Sequence, residues 1–189
     1  FSLLLGLRPS ESPEKLNHHT ILFPADYDAE FEAIFTQKKP VENPTIYICA
    51  PSDPLMVKDA GHESWFVLVN APRHDESGQD GFDWRDENFK HKYANSIIDQ
   101  IEARGIKIRE RLDVLEIRTP LDLQESVMAP GGSIYGTSSN SASAAFLRTK
   151  NRSPIKNLFC VGGSTHPGGG LPLVGISAEI VANAIGRAR

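Results

Sequence analysis

The run Gly162-Gly163-Ser164-Thr165-His166-Pro167-Gly168-Gly169-Gly170-Leu171-Pro172 is the densest concentration of binding-type residues in the chain. It follows a short apolar segment, Leu158–Val161, that reads as a strand, and it precedes a helical pattern over Leu173–Arg187. That helix carries Gly175, Ser177, Ala178 and Ala182 on one side and Val174, Ile180, Val181 and Ile185 on others. Glycines tolerate positive φ and let a backbone approach a ligand without Cβ interference. The first N–H groups of a helix have no intrahelical partner, so at Leu173 and Val174 they would face the loop and attract a phosphate, a carboxylate or an electron-rich heterocycle. Glycine loops of this kind also serve simply to turn tightly, and the residues alone leave both readings open.

The loop matches neither common phosphate cradle, because it has no Gly-Lys-Ser/Thr and its glycine spacing is not G-x-G-x-x-G. Ser164 beside His166 lacks the G-x-S-x-G elbow of a hydrolase nucleophile. His166 is a candidate for a catalytic base or a hydrogen bond to a ligand, and equally for a residue that orders the glycine loop. His18 and His19 are adjacent ahead of a strand, where side chains alternate between faces, so they read as a poor metal pair and no metal site is expected. Tyr135 and Phe146 are candidates for lining an apolar tunnel, with core packing the plainer role. Arg148, Lys150, Arg152 and Lys156 form a basic run that reads as a solvated face, with anionic lipid headgroups the other reading.

The elements that would position these residues follow from periodicity and caps. Ser2–Leu7, Thr20–Phe23, Thr45–Cys49, Ser64–Val69 and Leu112–Ile117 are rich in β-formers and predict strands. Asp26 is placed to cap a helix whose apolar face is Tyr27, Phe31, Ile34 and Phe35, ended by Lys38, Lys39 and Pro40. From Asp75 to Glu87 acidic residues dominate and read as a solvated loop. A longer helix is expected from Asp86 to Arg104 on the face Phe89, Tyr93, Ile97, Ile98 and Ile101, with Gly105 as its left-handed stop. Thr119-Pro120 reads as an N-cap with proline at the first helical position. No internal repeat is evident.

The whole chain has 189 residues, 40% of them hydrophobic and 23% charged, with a net charge of −4. That composition is globular, and its sign disfavours nucleic acid as a partner. The longest apolar runs, Ile46–Ala50 and Trp65–Val69, fall far short of the roughly 20 residues of a spanning helix. With only Cys49 and Cys160 there is no disulfide framework and no repeated zinc spacing, and a reducing, cytoplasmic compartment is expected.

The run Val161–Pro172, followed by the small-residue helix around Ser177-Ala178, resembles the C-terminal signature of FAD-dependent carotenoid desaturases of the phytoene and diapophytoene type. His18-His19-Thr20-Ile21-Leu22-Phe23-Pro24, the Asp28–Phe35 helix, Pro44–Ile48, the Trp65–Val69 strand and Ala129–Gly136 are similar to the same family in the same order. The resemblance implies a fold of the α/β class with α+β elements: the C-terminal portion of a two-domain FAD/NAD(P)-binding, Rossmann-like flavoprotein, with a mixed sheet and helices in the substrate domain. Residues 1–128 would end the substrate-binding domain, and 129–189 would close the FAD-binding domain, whose N-terminal Rossmann half is absent. It further implies FAD as cofactor, held by Gly162, Gly163, Ser164, Gly168, Gly169, Gly170, Leu173 and Val174. A lipophilic polyene would be the substrate, the missing N-terminal half a partner, and attachment to the inner face of a membrane peripheral. Expected alternatives are a folded fragment that binds no flavin, a relative that saturates, isomerises or oxygenates a polyene, and an amine-oxidase-like enzyme.

Overall fold

A computed structural model describes residues 1–11, 16–57, 59–136 and 148–187. Contacts divide the chain into two compact units, Phe1–Gly132 and Ser133–Arg189.

The first unit is built on a five-stranded sheet of order β2-β3-β4-β1-β5, comprising β1 (Ser2–Leu7), β2 (His19–Leu22), β3 (Ile46–Cys49), β4 (Glu63–Val69) and β5 (Leu112–Arg118). Every pairing is antiparallel, which corrects the expectation of a mixed sheet. The physical reason lies in the connections: the long helix Glu87–Ala103, the crossover that parallel pairing would use, joins β4 to β5, which β1 separates in the sheet. Gly6 sits opposite Val114, where a Cβ would come within 3.1 Å of the Val114 Cβ, and the β1–β5 register shifts between Gly6 and Leu7. The imperfect alternation of β5 is thus an irregularity in the ladder.

One sheet face buries Leu3, Leu5, Leu7, Ile46, Ile48, Trp65, Val67 and Val69. Against it lies α2 (Glu87–Ala103), whose Tyr93, Ala94, Ile97, Ile98 and Ile101 complete one core. Each fully buried aliphatic side chain there contributes about 1.5–3 kcal/mol. The ends of α2 follow its sequence signals. The Asp86 carboxylate accepts from the Asn88 and Phe89 N–H groups, and Gly105 stands at φ +88 just beyond the last turn. Burial drives the Tyr93 phenol far above its ordinary range, and its hydroxyl donates to the Val41 carbonyl at 2.9 Å. At α3 (Pro120–Val127), Thr119 and Asp122 form a reciprocal capping box.

Two local expectations fail in this unit. The acidic stretch before α2 is no mere solvated loop, because it inserts Trp84 completely into the core, its indole N–H donating to the Pro72 carbonyl at 3.0 Å. The helix after Asp26 also turns the other way. It is a single α-turn, α1 (Asp28–Phe31), that widens into a π-turn over Glu32–Thr36, which breaks the 3.6-residue stripe. Phe23, Tyr27, Phe31 and Phe35 form an exposed aromatic row, while Glu30 is the buried residue. Its carboxylate accepts from the Thr45 N–H and the Asn70 amide, both at 2.7 Å, and those two bonds decide which side faces inward.

In the second unit, α4 (Leu171–Ile185) begins two residues earlier than its periodicity suggests, with Pro172 inside its first turn. The expected strand Leu158–Val161 reduces to one bridge, Arg152 to Phe159. A strand needs a partner along its length, and the described residues of this unit offer only that contact. No helix among the described residues is long and apolar enough to cross a membrane.

Candidate functional site

The glycine loop is organised from beneath by a buried polar node. Asn151 is buried, and its amide nitrogen lies 2.9 Å from both the His166 carbonyl and the Ser177 hydroxyl and 3.1 Å from the Cys160 carbonyl. Ser177, wholly buried on α4, accepts from the Gly162 N–H at 3.2 Å and meets the Thr165 hydroxyl at the same distance. Thr165 donates on to the Gly162 carbonyl at 3.0 Å. The His166 N–H is taken by the Thr149 carbonyl, and the His166–Pro167 peptide is cis. Sequence reasoning missed Asn151 and this role of Thr165 and Ser177. The available signal was a hydroxyl at 177 on the same helix stripe as Val174 and Val181, where an apolar residue would ordinarily pack.

Above the node, Gly162, Gly168 and Gly170 adopt φ of +124, +139 and +94, conformations that side-chain-bearing residues avoid. A Cβ at Gly162 or Gly170 would meet nothing within 4 Å, whereas one at Gly169 would fall 1.8 Å from Tyr135 Cδ1. A Cβ at Gly163 would stand 3.6 Å from the same ring and from the Val174 side chain. Tyr135 therefore lies over Gly169, its carbonyl accepting from Arg148. Ser164 and the His166 side chain are exposed, Leu173 is partly exposed and Val174 half-buried. Gly170 is the N-cap of α4 and supplies no side-chain cap, and Pro172 has no N–H, so Leu171 and Leu173 carry the donors of the first turn; the Val174 N–H, expected to be free, instead donates to the Gly170 carbonyl at 3.0 Å because the helix starts two residues earlier. Arg152 donates to the Ala184 carbonyl and lies over the Phe159 ring, which ties that member of the basic run to its own unit. Phe146 lies outside the described residues.

A second feature lies on the outer face of the sheet, opposite the core. Register places His19, Cys49, Phe66, Leu4 and Glu116 in one row across the strands, and Ile21, Tyr47, Leu68, Ser2 and Arg118 in the next. Ile21, Phe66, Leu68, Leu4 and Val114 are all substantially exposed there. A solvated antiparallel face normally alternates to polar residues; this one has polar positions at Ser2, His19, Glu116 and Arg118 but keeps Leu4, Phe66 and Leu68 exposed on its central strands. It encloses a hollow of about 360 Å³ lined by Leu4, Gly6, Cys49, Met56, Phe66 and Val114. A larger hollow of about 790 Å³ near α1 is lined by Asp26, Glu32, Lys39, Glu42 and Arg104 and has the character of wet surface. The uninterrupted runs Leu3-Leu4-Leu5 and Trp65–Val69 were the sequence signal for a two-sided apolar sheet.

At one edge of that face the two histidines do not diverge. His18 stands just before β2, outside the alternation of the strand, and its ring centroid lies 4.4 Å from that of His19. Register pairs His19 with Cys49, and the Tyr47 hydroxyl is 2.8 Å from His19 Nδ1.

No family model matches the chain. It is 42% identical over 90% of its length to the 1-hydroxycarotenoid 3,4-desaturase of Flavobacterium sp. (strain P99-3), covering 34% of that protein. It is 34% identical over 96% of its length to a lycopene-forming phytoene desaturase of Paracoccus sp. (strain N81106 / MBIC 01143), covering 36%. It is 30% identical over 90% of its length to the 4,4'-diaponeurosporene oxygenase of Staphylococcus haemolyticus (strain JCSC1435), covering 34%. The chain thus spans about a third of the length of these curated relatives.

Proposed function

From the premise that this chain belongs to the carotenoid desaturase family, we propose that it is part of an FAD-dependent oxidoreductase that desaturates a carotenoid or related polyene. The observation that carries the reading is the apolar outer sheet face with its hollow between Leu4, Cys49, Met56, Phe66 and Val114. A polyene offers no hydrogen bonds, so its recognition rests on contact area, and this face presents a wall of aliphatic and aromatic side chains without a carboxylate or amine at its centre.

The glycine loop suits an electron-rich ring system. Gly162 and Gly170 leave open space where a Cβ would stand, and the first turn of α4 lacks a side-chain cap. Gly162, Gly163, Gly168 and Gly170 would lie against the flavin, and the N–H groups of Leu171 and Leu173 would face negative charge at its ring. When bound, flavin would supply the acceptor for a hydride, which carries both electrons, from a C–H bond beside the conjugated system, while the hydrogen on the adjacent carbon leaves as a proton. The chain's own contribution is to hold the loop rigid through Asn151, Thr165 and Ser177 and to keep water away from the apolar wall. The Rossmann half that would bind the nucleotide lies outside this chain.

The test uses the intact protein that carries this sequence, reconstituted with FAD and given phytoene, diapophytoene or a hydroxylated carotenoid in liposomes. Longer-wavelength absorption from an extended polyene is expected, and Phe66→Asp, on the wall, should abolish it while flavin content stays normal. Flavin reduction by a soluble amine and never by a carotenoid would overturn the proposal.

A further inference from the structure

The edge of the sheet carries a group of side chains that the flavin reading does not use. One ring nitrogen of His18, one of His19 and the Cys49 Sγ all lie within 4.8 Å of one another, the only such group among the described residues. We propose that His18, His19 and Cys49 form a binding site for a borderline divalent cation of the zinc class.

Three separate constraints bring the ligands together. The antiparallel register of β2 and β3 sets His19 directly opposite Cys49, so their side chains leave the sheet on the same face. The Ala50 N–H donates to the His18 carbonyl at 2.9 Å, which fixes the backbone just ahead of β2 while leaving the His18 side chain free of strand alternation. Tyr47, two residues before Cys49 on the same face, places its hydroxyl on His19 Nδ1 and so restricts that ring before any ion arrives. With Nε2 on the ion, the His19 Nδ1–H donates to the Tyr47 oxygen, as the second ring nitrogen of a metal-bound imidazole does.

The donor set selects the ion. Two imidazoles and a thiolate suit zinc or cobalt, whereas calcium and magnesium require oxygen. Metal–nitrogen and metal–sulfur bonds of about 2.0–2.3 Å in a tetrahedron put ligand atoms about 3.4–3.6 Å apart. The observed group closes to that geometry by roughly 1 Å of side-chain rotation, for which both exposed histidine rings have room. Binding forms two metal–nitrogen bonds and one metal–sulfur bond and releases the Cys49 thiol proton to solvent. Three protein ligands leave a fourth position for water, the arrangement of zinc sites that do chemistry. Cys49 also lines the hollow of the outer face, so the ion would stand at the end of the apolar wall. The site consists of this chain's own His18, His19 and Cys49 and needs no flavin.

The experiment titrates cobalt(II) into the intact protein, reduced and stripped of metal, and follows thiolate-to-cobalt charge transfer together with the ligand-field bands of four-coordination; zinc is then added to displace it. One cobalt per chain and quantitative displacement by zinc are expected. Cys49→Ser should remove the charge-transfer band, and His18→Ala and His19→Ala should each weaken binding by more than about tenfold. Because both histidines are exposed, the metal-free variants should melt with wild type, which separates lost ligation from lost fold. Cys160→Ser should bind as wild type does. Absence of the band, its survival in Cys49→Ser, or affinity indifferent to both histidine substitutions would overturn the proposal, whatever the outcome of the carotenoid assay.

Discussion

Replacing Gly169 by alanine tests whether the loop is shaped by the ring that covers it. The added Cβ would lie 1.8 Å from Tyr135 Cδ1, 2.3 Å from Cε1 and 2.6 Å from Cγ, so the three nearest atoms all belong to one ring. Carbon atoms pack at about 3.5–4.0 Å, and the ring must therefore withdraw by about 1.5–2 Å. Its backbone offers little compliance, because Tyr135 stands at φ +68 with its carbonyl held by Arg148. Overpacking of this kind costs about 1–3 kcal/mol, and a 2 kcal/mol loss corresponds to about a 30-fold fall in the local folding equilibrium. Tyr135 is half exposed, so Tyr135→Ala alone should cost less than about 1 kcal/mol. In that background Gly169→Ala should cost under about 0.5 kcal/mol, a coupling of about 1.5 kcal/mol across the cycle. Tryptophan fluorescence would miss the effect, since Trp65 and Trp84 both lie in the other unit. Peptide-resolved hydrogen exchange over residues 161–176 reads it directly. An equal cost in both backgrounds would refute the reasoning and show that Gly169 answers to something other than Tyr135.

Ser177→Ala should release the node beneath the loop, leaving the Gly162 N–H short of an acceptor while the Asn151 amide keeps the Cys160 and His166 carbonyls; a loss of about 1–3 kcal/mol is expected in hydrogen-exchange protection of the loop. Glu102 is held below the ordinary glutamate range, chiefly by the Arg109 N–H and further by that of Ile108. Its folded value is depressed, so its stabilisation is present above the ordinary range and is lost as pH falls through the depressed one. In urea unfolding between neutral and acid pH, Glu102→Gln should accordingly lower stability at neutral pH and show a shallower acid limb than wild type; an unchanged acid limb would contradict the assignment.

Local chemistry made much of this protein legible in advance. Asp86 and Gly105 bound α2 because a cap and a left-handed stop act within one turn of the residues they serve. Thr119, Pro120 and Asp122 encode their own helix start for the same reason. The glycine loop and the helix after it were also visible, as was the core face of α2, whose apolar residues recur at helical spacing. What escaped depends on partners distant in the chain. Glu30 turns α1 inside out only because Thr45 and Asn70 are there to bind it. Asn151 becomes a buried node only when Ser177, 26 residues away, packs against it. His19 and Cys49 share a face because strand register sets them opposite, and His18 joins them because the strand begins one residue later. Cap and periodicity signals act over one to four residues, whereas the sheet's outer face, the node and the histidine–cysteine group arise from pairings that only the closed tertiary structure selects.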